Sequence, residues 1–243
     1  MNQVALMYHD VYNQTPKESG LASDMYKISA EQFEKQIKEI CEFEKSNPGS
    51  IVLTFDDGGS SFYEPISYIL DRYSLKGYFF IATKYIGTTG FLTKEQIADI
   101  DKRGHYIGSH SHSHPDNLSA FDPKEIENEW SESLHILSGI VCHPIDTGSI
   151  PNGYQSKNVL IAAKKAGINK MFTSKPTCKN QEAYGIKLFG RYVVLDGMTV
   201  EDVLSLVSNN IVRRKLYVKW LVLSVVKYIL GNKYEPVKQK IFK

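Results

Sequence analysis

Three histidines stand within five residues of a chain that holds only seven, in the segment YIGSHSHSHPDNL at positions 106–118. On a β-strand, His110, His112 and His114 would all point to one side, because strand side chains alternate. On a helical turn, His110 and His114 would share a face and His112 would point away. Either arrangement gathers imidazole groups that can bind a metal ion. A polar loop that is merely rich in histidine and serine is the alternative interpretation.

The segment TFDDG places Asp56 and Asp57 side by side at the end of a predicted strand. Since adjacent strand residues point to opposite faces, we expect the two carboxylates to play different parts, one binding a metal and one serving as a base. An exposed turn is the alternative, because Asp-Asp-Gly-Gly is also good turn chemistry. The apolar residues Leu53 and Phe55 just before the pair favour a buried strand, whose end is a frequent location for active-site residues in α/β folds.

The two segments together suggest a hydrolytic metal site. One carboxylate and two imidazoles form a three-ligand set that leaves coordination positions open for water and substrate. A bound divalent metal acidifies its water, and a second carboxylate nearby can accept the proton.

Predicted strands and helices alternate along the chain, which favours a mainly parallel sheet with helices outside it. The predicted strands lie within residues 3–9, 50–59, 76–83, 105–110, 141–153 and 168–174, and the predicted helices within 29–43, 62–73, 93–104, 123–138 and 156–167. Ser29 is a suitable N-cap for the first helix, and Pro123 suits the first turn of the fourth.

Length, composition and charge narrow the possible classes of protein. The chain has 243 residues, of which 42% are hydrophobic, which is enough for one large core. A net charge of only +2 gives no global field for nucleic acid, so we expect no nucleic-acid partner. The N-terminal segment lacks the features of a signal peptide, and three widely spaced cysteines indicate a reducing compartment. Both observations favour a cytoplasmic location.

The C-terminal segment 211–243 differs in charge from the rest of the chain. It carries nine Lys or Arg and one acid, a net charge of +8, whereas the other residues carry 20 basic and 26 acidic side chains, a net charge of −6. Its apolar run WLVLSVVKYIL, at 220–230, is too short to span a bilayer. It is either a helix docked on the core or a basic amphipathic helix resting on an anionic membrane, on the inner face. We therefore predict a catalytic domain at 1–210 and a C-terminal extension at 211–243.

TFDDG and HSHSH, in this order and at this separation, resemble the first two motifs of the polysaccharide deacetylases, carbohydrate esterase family four. KGYFFIAT and GHYIGSH are similar to further segments of the family, so the resemblance covers most of the chain. It implies an α/β fold, a distorted (β/α)-barrel with the site at the strand ends.

The resemblance also implies roles. Asp56 matches the general base, and Asp57, His110 and His114 match the three ligands of one divalent metal. His112 falls at a variable position of the motif and is left out of the ligand set. These ligands suit zinc, although cobalt, nickel and iron accept them as well.

The third motif departs from the family. Many members carry an Arg two residues before the Pro, where this chain has Ser149. Pro151 and Gly153 match the motif, and the backbone N–H of Asn152 is the candidate oxyanion donor. Arg191, in LFGRYVVLDGMTVEDVL, is the candidate to supply the missing charge, with an ordinary ion-pair arginine as the alternative.

A second departure concerns the general acid. Many members use a His near the C-terminus, but no His follows His143 here. LMYHDV resembles an N-terminal motif of the branch that deacetylates bacterial exopolysaccharides, so His9 is the candidate acid. The alternative is a histidine satisfied by hydrogen bonds in the core.

The expected function is metal-dependent removal of an N-acetyl group from a sugar. A lipid-linked or nucleotide-linked precursor of surface polysaccharide or lipopolysaccharide fits the basic tail and the N-terminal segment. A catalytically impaired, metal-containing carbohydrate-binding protein is the alternative that the two departures motivate, and Asp56 argues against it. An iron oxygenase also uses two His and one carboxylate, but it leaves the Asp56–Asp57 pair unexplained.

Overall fold

The computed structural model describes residues 3–230, which form one curled sheet packed against helices. The strands are β1 Val4–Tyr8, β2 Val11–Tyr12, β3 Ile28–Ser29, β4 Ile51–Phe55, β5 Gly77–Ile81, β6 Tyr106–Ser109, β7 Thr147–Ser149, β8 Lys170–Thr173, β9 Gln181–Ala183, β10 Ile186–Gly190 and β11 Tyr192–Val193. The helices are α1 Ala30–Ser46, α2 Tyr68–Arg72, α3 Lys94–Lys102, α4 Pro123–Val141, α5 Lys157–Ala166, α6 Val200–Ser208 and α7 Asn210–Leu230.

Nine strands pair in the order β11-β1-β4-β5-β6-β7-β8-β10-β9, and β2 and β3 form a separate two-stranded sheet. In the large sheet every pairing is parallel except that of β9 with β10. The sheet curls like a barrel, but within the described residues β9 and β11 do not pair with each other. The barrel is therefore incomplete. This confirms the predicted α/β class and the distorted (β/α)-barrel. Because the strands are parallel, the segments that follow β1, β4, β6 and β7 emerge at one rim.

Alternate strand residues supply two apolar layers, as the period of two requires. Leu6, Leu53 and Phe79 belong to the large core that the strands share with the helices. Their neighbours on the other face belong to a small aromatic layer on the concave side of the sheet, where Phe80 and Phe172 are buried. Burial of a side chain of this size contributes about 1.5–3 kcal/mol, so both layers hold the strand ends in place.

The helix starts agree with the sequence signals. Ser29 caps α1 by accepting a hydrogen bond from the Gln32 N–H, and Pro123 is the first residue of α4. The predicted helix at 62–73 is broken, because Glu64, before Pro65, has extended dihedral angles. Only Tyr68–Arg72 forms a regular α-helix there.

Helix α7 begins at Asn210, and Val212 and Leu216 on it pack against the main core. Positions 231–243 of the predicted extension lie outside the described residues. Among residues 3–230, no helix is both long enough and apolar enough to cross a membrane. The domain boundary and the cytoplasmic location stay predictions.

Candidate active site

The turn after β4 directs Asp56 and Asp57 to the same group. Asp57 and Gly58 both have positive φ, 93° and 91°, and a Cβ on Gly58 would lie 3.0 Å from Ile81 Cγ2. The strand ends at Phe55, so side-chain alternation no longer applies. The carboxylates of Asp56 and Asp57 lie 3.8 and 3.4 Å from His110 Nε2. The prediction that they point to opposite faces is wrong, and their surroundings, not alternation, distinguish them.

The histidine segment after β6 is neither a strand nor a helical turn. Ser111 and His114 have positive φ, 63° and 53°, and fold the chain into a compact loop. The loop brings the His110 and His114 rings to a centroid distance of 4.9 Å. His112 is directed elsewhere, with its Nδ1 2.9 Å from Thr83 Oγ1. The loop thus brings His110 and His114 together, as a helical turn would, although its backbone is not helical.

Glu129 on α4 holds this loop from behind. Its carboxylate accepts hydrogen bonds from the backbone N–H groups of His112 and Ser113, at 3.0 and 2.8 Å, and from the Ser113 hydroxyl at 2.6 Å. The sequence analysis did not find Glu129, because it belongs to another element and to none of the motifs. Its three contacts fix the part of the loop that lies between the two converging histidines.

Asp57, His110 and His114 form a set of potential metal ligands whose donor atoms all lie within 4.8 Å of one another. Asp57 Oδ1 is 3.4 Å from His110 Nε2 and 3.2 Å from His114 Nε2. His110 Nδ1 lies 2.9 Å from the Ser149 carbonyl oxygen. A carbonyl can only accept, so Nδ1 carries the proton and Nε2 keeps its lone pair for a metal. The donor set therefore fits a divalent cation such as zinc.

The charges in this set support one another. Burial opposes ionisation of Asp57, but the imidazoles of His110 and His114 beside it outweigh that effect and hold the pKa of Asp57 well below its usual value. Burial lowers the pKa of His114, yet the Asp57 carboxylate more than compensates, so that the pKa of His114 is raised. The site is therefore already arranged for positive charge beside Asp57.

Asp56 has a different environment, dominated by Arg191. The guanidinium donates to both carboxylate oxygens, from Nη1 at 2.6 Å and from Nη2 at 2.7 Å. Ser149 donates to Asp56 Oδ2 at 3.1 Å and accepts from Arg191 Nη2 at 2.7 Å. Burial would raise the pKa of Asp56, but Arg191 and His110 lower it below the usual value. Asp56 is thus ionised and held outside the three-donor set.

The position of Arg191 follows from the layer beneath it. Only 1% of the residue is exposed, and its guanidinium carbon lies 5.7 Å and 6.0 Å from the ring centroids of Phe80 and Phe172. The aromatic layer of the concave face thus supports the cation. Arg191, which lies between β10 and β11, therefore brings to Asp56 the positive charge that the third motif lacks at Ser149.

His9, directly after β1, belongs to the same electrostatic cluster. Burial lowers the pKa of His9, while Asp57 and Asp56 act to raise it and Arg191 acts to lower it. The ring packs against Tyr26 at a centroid distance of 4.9 Å. Among the described residues, its buried Nδ1 has no hydrogen-bond partner. The imidazole is therefore mainly neutral near pH 7.

The third-motif loop begins directly after β7. Pro151, Asn152 and Gly153 form a single tight turn in which Asn152 and Gly153 have positive φ, 53° and 67°. A Cβ on Gly153 would lie 2.9 Å from Ser174 Oγ, so the turn requires glycine there. The Asn152 side chain donates to the Pro115 carbonyl at 3.5 Å, which links this loop to the residue after His114. Asn152 thus lies on a loop next to the donor set.

The family model and the curated relatives that match this chain point to the same family. A sequence model described as polysaccharide deacetylase matches residues 43–171, just over half of the chain. The chain is 27% identical over 155 residues to the protein YxkH of Bacillus subtilis strain 168, which covers 64% of this chain and 55% of that protein. It is also 27% identical over 125 residues to the chitooligosaccharide deacetylase of Bradyrhizobium sp. strain ANU 289, covering 51% and 55%. The chain spans about half the length of these curated relatives.

The fold itself has a close counterpart among solved structures. The Streptococcus pyogenes deacetylase PplD, determined in complex with acetate, superposes with a TM-score of 0.69. The match covers 85% of this chain and 98% of that chain at 21% identity. At this identity the likeness shows a common fold, in agreement with the incomplete barrel described above.

Proposed function

Because the chain belongs to the polysaccharide deacetylase family, we propose that it removes an N-acetyl group from a sugar, with Asp57, His110 and His114 as the ligands of one divalent metal, preferably zinc. The observation that carries the proposal is that the two adjacent carboxylates have different partners. Asp57 faces two histidines, whereas Asp56 is paired with Arg191. A metal held by the three donors would polarise the acyl carbonyl and acidify a water molecule.

Asp56 is the proposed general base. It is ionised, buried and fixed by Arg191 and Ser149, so it can accept a proton from the attacking water without first changing its orientation. In this proposal Arg191 is a positioning residue that keeps the carboxylate charged. The backbone N–H of Asn152 is the proposed donor to the oxyanion, since its loop adjoins the loop of His114.

His9 is the proposed acid that protonates the leaving amine of the sugar. Its lowered pKa means that it is mainly neutral before turnover near pH 7. We propose that it receives its proton during the reaction, and the proton that Asp56 takes from water is a suitable source. The net reaction consumes one water and yields acetate and an amino sugar, so no further proton donor is needed for balance.

The proposed substrate is an N-acetylated sugar or glycan precursor destined for a surface polysaccharide or lipopolysaccharide. The relative named chitooligosaccharide deacetylase supports an N-acetylated sugar as the substrate class. The basic character of residues 211–243 supports a precursor that is presented on an anionic surface.

The test combines metal analysis with acetate release from N-acetylated sugars, for the wild type and three variants. We expect His114→Ala to lose both metal and activity, because one of three ligands is gone. Asp56→Asn should keep the metal and lose about a hundredfold to ten-thousandfold in kcat, the usual contribution of a general base. His112→Ala is the matched control, since its ring faces Thr83, and it should keep metal and activity.

Other outcomes would reassign the site. A wild type that binds metal and sugar but releases no acetate would favour the carbohydrate-binding alternative. Arg191 beside Asp56 weakens one of the two arguments for that alternative, because the residue between β10 and β11 supplies the charge that the third motif lacks. Loss of activity under strictly anaerobic conditions would instead favour an iron oxygenase.

A further inference from the structure

Helix α7 has one face that docks on the domain. Val212 and Leu216 pack against the main core, and Arg213 Nη1 donates to the carbonyl oxygens of Leu206 and Val207, at 2.8 and 2.6 Å, near the end of α6. The Lys175 ammonium lies 5.8 Å from the ring centroid of Trp220. The interpretation of α7 as a docked helix therefore accounts for this face.

The opposite face is apolar and exposed. Ile211, Val218, Val222 and Val225 recur at spacings of seven, four and three, which places them in one stripe along the helix. Their exposed fractions are 64%, 58%, 58% and 58%. Of the ten large hydrophobic side chains exposed in the described part of the chain, five lie on this helix. A docked helix normally turns polar residues outward, so docking does not account for this stripe.

The same face is also basic. Arg214, Lys215 and Lys219 are exposed beside the stripe, and the sequence has no Asp or Glu between Asp202 and Glu235. A second protein surface would have to match five apolar and three basic side chains along one helix. An anionic bilayer surface meets both requirements at once, since its headgroups attract lysine and arginine and its acyl boundary accepts valine and isoleucine.

We propose that the outward face of α7, formed by Ile211, Arg214, Lys215, Val218, Lys219, Leu221, Val222 and Val225, docks on an anionic lipid bilayer. The inner face of the helix reaches the rim that carries the candidate site. The Lys175 carbonyl accepts a hydrogen bond from the backbone N–H of Arg191 at 2.9 Å, and the Lys175 ammonium lies over Trp220. Docking would hold this rim near the membrane, where a lipid-linked sugar is presented. The substrate part rests on the proposed function, whereas the lipid contact does not.

The test is co-sedimentation of the full chain with vesicles of phosphatidylcholine alone and of equimolar phosphatidylcholine and phosphatidylglycerol. We expect binding to the anionic vesicles that weakens as salt is added. Each basic residue near an anionic leaflet contributes roughly fivefold to partitioning, so the triple variant Arg214→Glu, Lys215→Glu, Lys219→Glu should bind at least about a hundredfold more weakly. The triple variant Val218→Ser, Val222→Ser, Val225→Ser should also lose binding, because its apolar stripe is gone.

The matched control carries the same change in net charge on other helices. Lys94, Lys124 and Lys157 are exposed residues in the first turns of α3, α4 and α5, where glutamate is well tolerated. Lys94→Glu, Lys124→Glu, Lys157→Glu should bind vesicles as the wild type does. The proposal would be overturned if the wild type did not bind anionic vesicles. It would also be overturned if the charge-reversed α7 variant bound them as the wild type does. If the wild type does not bind lipid but self-associates, and the valine variant does not self-associate, the face would instead bind a second copy of the chain.

Acetate release from a soluble N-acetylated sugar is measured on the same proteins. The α7 variants should keep that activity, because none of the substituted residues belongs to the candidate site. Lost vesicle binding with intact activity would be expected of these variants. A wild type that binds vesicles but releases no acetate would leave the lipid contact standing and refute the proposed function.

Discussion

Arg191 and Asp56 are 135 residues apart in the chain, yet they form a two-pronged ion pair within the barrel. Both are almost fully buried, so neither charge would be stable there without the other. The pair has a planar donor fork facing a planar carboxylate, a geometry that lysine cannot reproduce. At the scale of residues, the proposed base is thus defined as much by Arg191 as by its own carboxylate.

Arg191→Lys is expected to lower kcat by about tenfold to a hundredfold, because a single ammonium keeps the charge but not the two-pronged contact. Weaker pairing raises the pKa of Asp56, so the base becomes protonated at a higher pH than in the wild type. The acid limb of the pH profile of kcat/KM should therefore shift upward. Steady-state acetate release across a pH series measures both effects.

Arg103→Lys is the matched control for this prediction. Arg103 also forms a forked network, donating to Asp99 and Asp71, but it lies between α2 and α3, away from the site. Its replacement should lower thermal stability slightly and leave the pH profile unchanged. An Arg191→Lys enzyme with the wild-type profile would show that Arg191 only stabilises the fold.

Sequence reasoning reached these residues unevenly. The family resemblance implies Asp57, His110 and His114 as the ligand set, and the structure brings their donor atoms together. The shared orientation of Asp56 and Asp57 could not be predicted, since it depends on a positive φ at Asp57 that alternation does not anticipate. Glu129 was missed because a contact between loop and helix leaves no local pattern.

At the scale of elements, His105 joins α2, β5 and β6. Its Nδ1 accepts a hydrogen bond from the Gly77 N–H at 3.3 Å, and its Nε2 lies 3.2 Å from Asp71 Oδ1. Protonation of Nδ1 would break the bond from Gly77. Burial is the main cause that lowers the pKa of His105 to about 4, against the opposing effect of Asp71. The fold therefore favours the neutral ring.

The sign of the pH dependence follows directly. Between pH 6.5 and about 4 the unfolded chain binds a proton at His105 and the folded chain does not, so the free energy of unfolding falls as the pH falls. The full effect amounts to roughly 3 kcal/mol. His105→Asn keeps an acceptor for Gly77 but cannot titrate. We expect it to be less stable at pH 7 and to lose this pH dependence.

Denaturant unfolding of the wild type and His105→Asn at several pH values measures the difference. Comparing the two proteins removes contributions from other groups, such as Asp10, whose pKa burial raises to about 6 and which acts in the opposite direction. His143→Asn is the control, because its ring is half exposed and makes its contact with Asp101 at the surface. Parallel pH curves for the wild type and His105→Asn would contradict the assignment.

Sequence patterns predicted most of the long elements, although they missed the five-residue strand β10 and the nine-residue helix α6, and they missed the shortest strands. Strands of four or five residues, such as β4 and β5, carry enough apolar residues to be recognised. Strands β2, β3 and β11 have two residues each, too few for any periodicity. The break at Glu64 was readable in principle, since a residue before proline avoids helical angles, but the apolar pattern was given more weight.

At the scale of the whole molecule, the candidate metal site links three strand ends of the sheet. Asp57 follows β4, both histidines follow β6, and His110 is oriented by Ser149 on β7. A metal that binds this arrangement but not the unfolded chain stabilises the entire fold by mass action. The contacts that shape the site, including those of Glu129 and Arg191, come from protein groups, so we expect the metal-free protein to remain folded.

Zinc added to chelator-treated protein is therefore expected to raise Tm. At a free zinc concentration of about a hundred times Kd, the gain is about 2.7 kcal/mol, which corresponds to about 5–10 °C for a chain of this length. His114→Ala should show no shift, because the three-donor set is incomplete. Glu129→Gln keeps all three ligands but loosens the loop, so it should reach the same shift only at about tenfold to a hundredfold more zinc. Differential scanning calorimetry across a zinc series measures all three curves, and an equal shift in His114→Ala would mean that the stabilising zinc binds elsewhere.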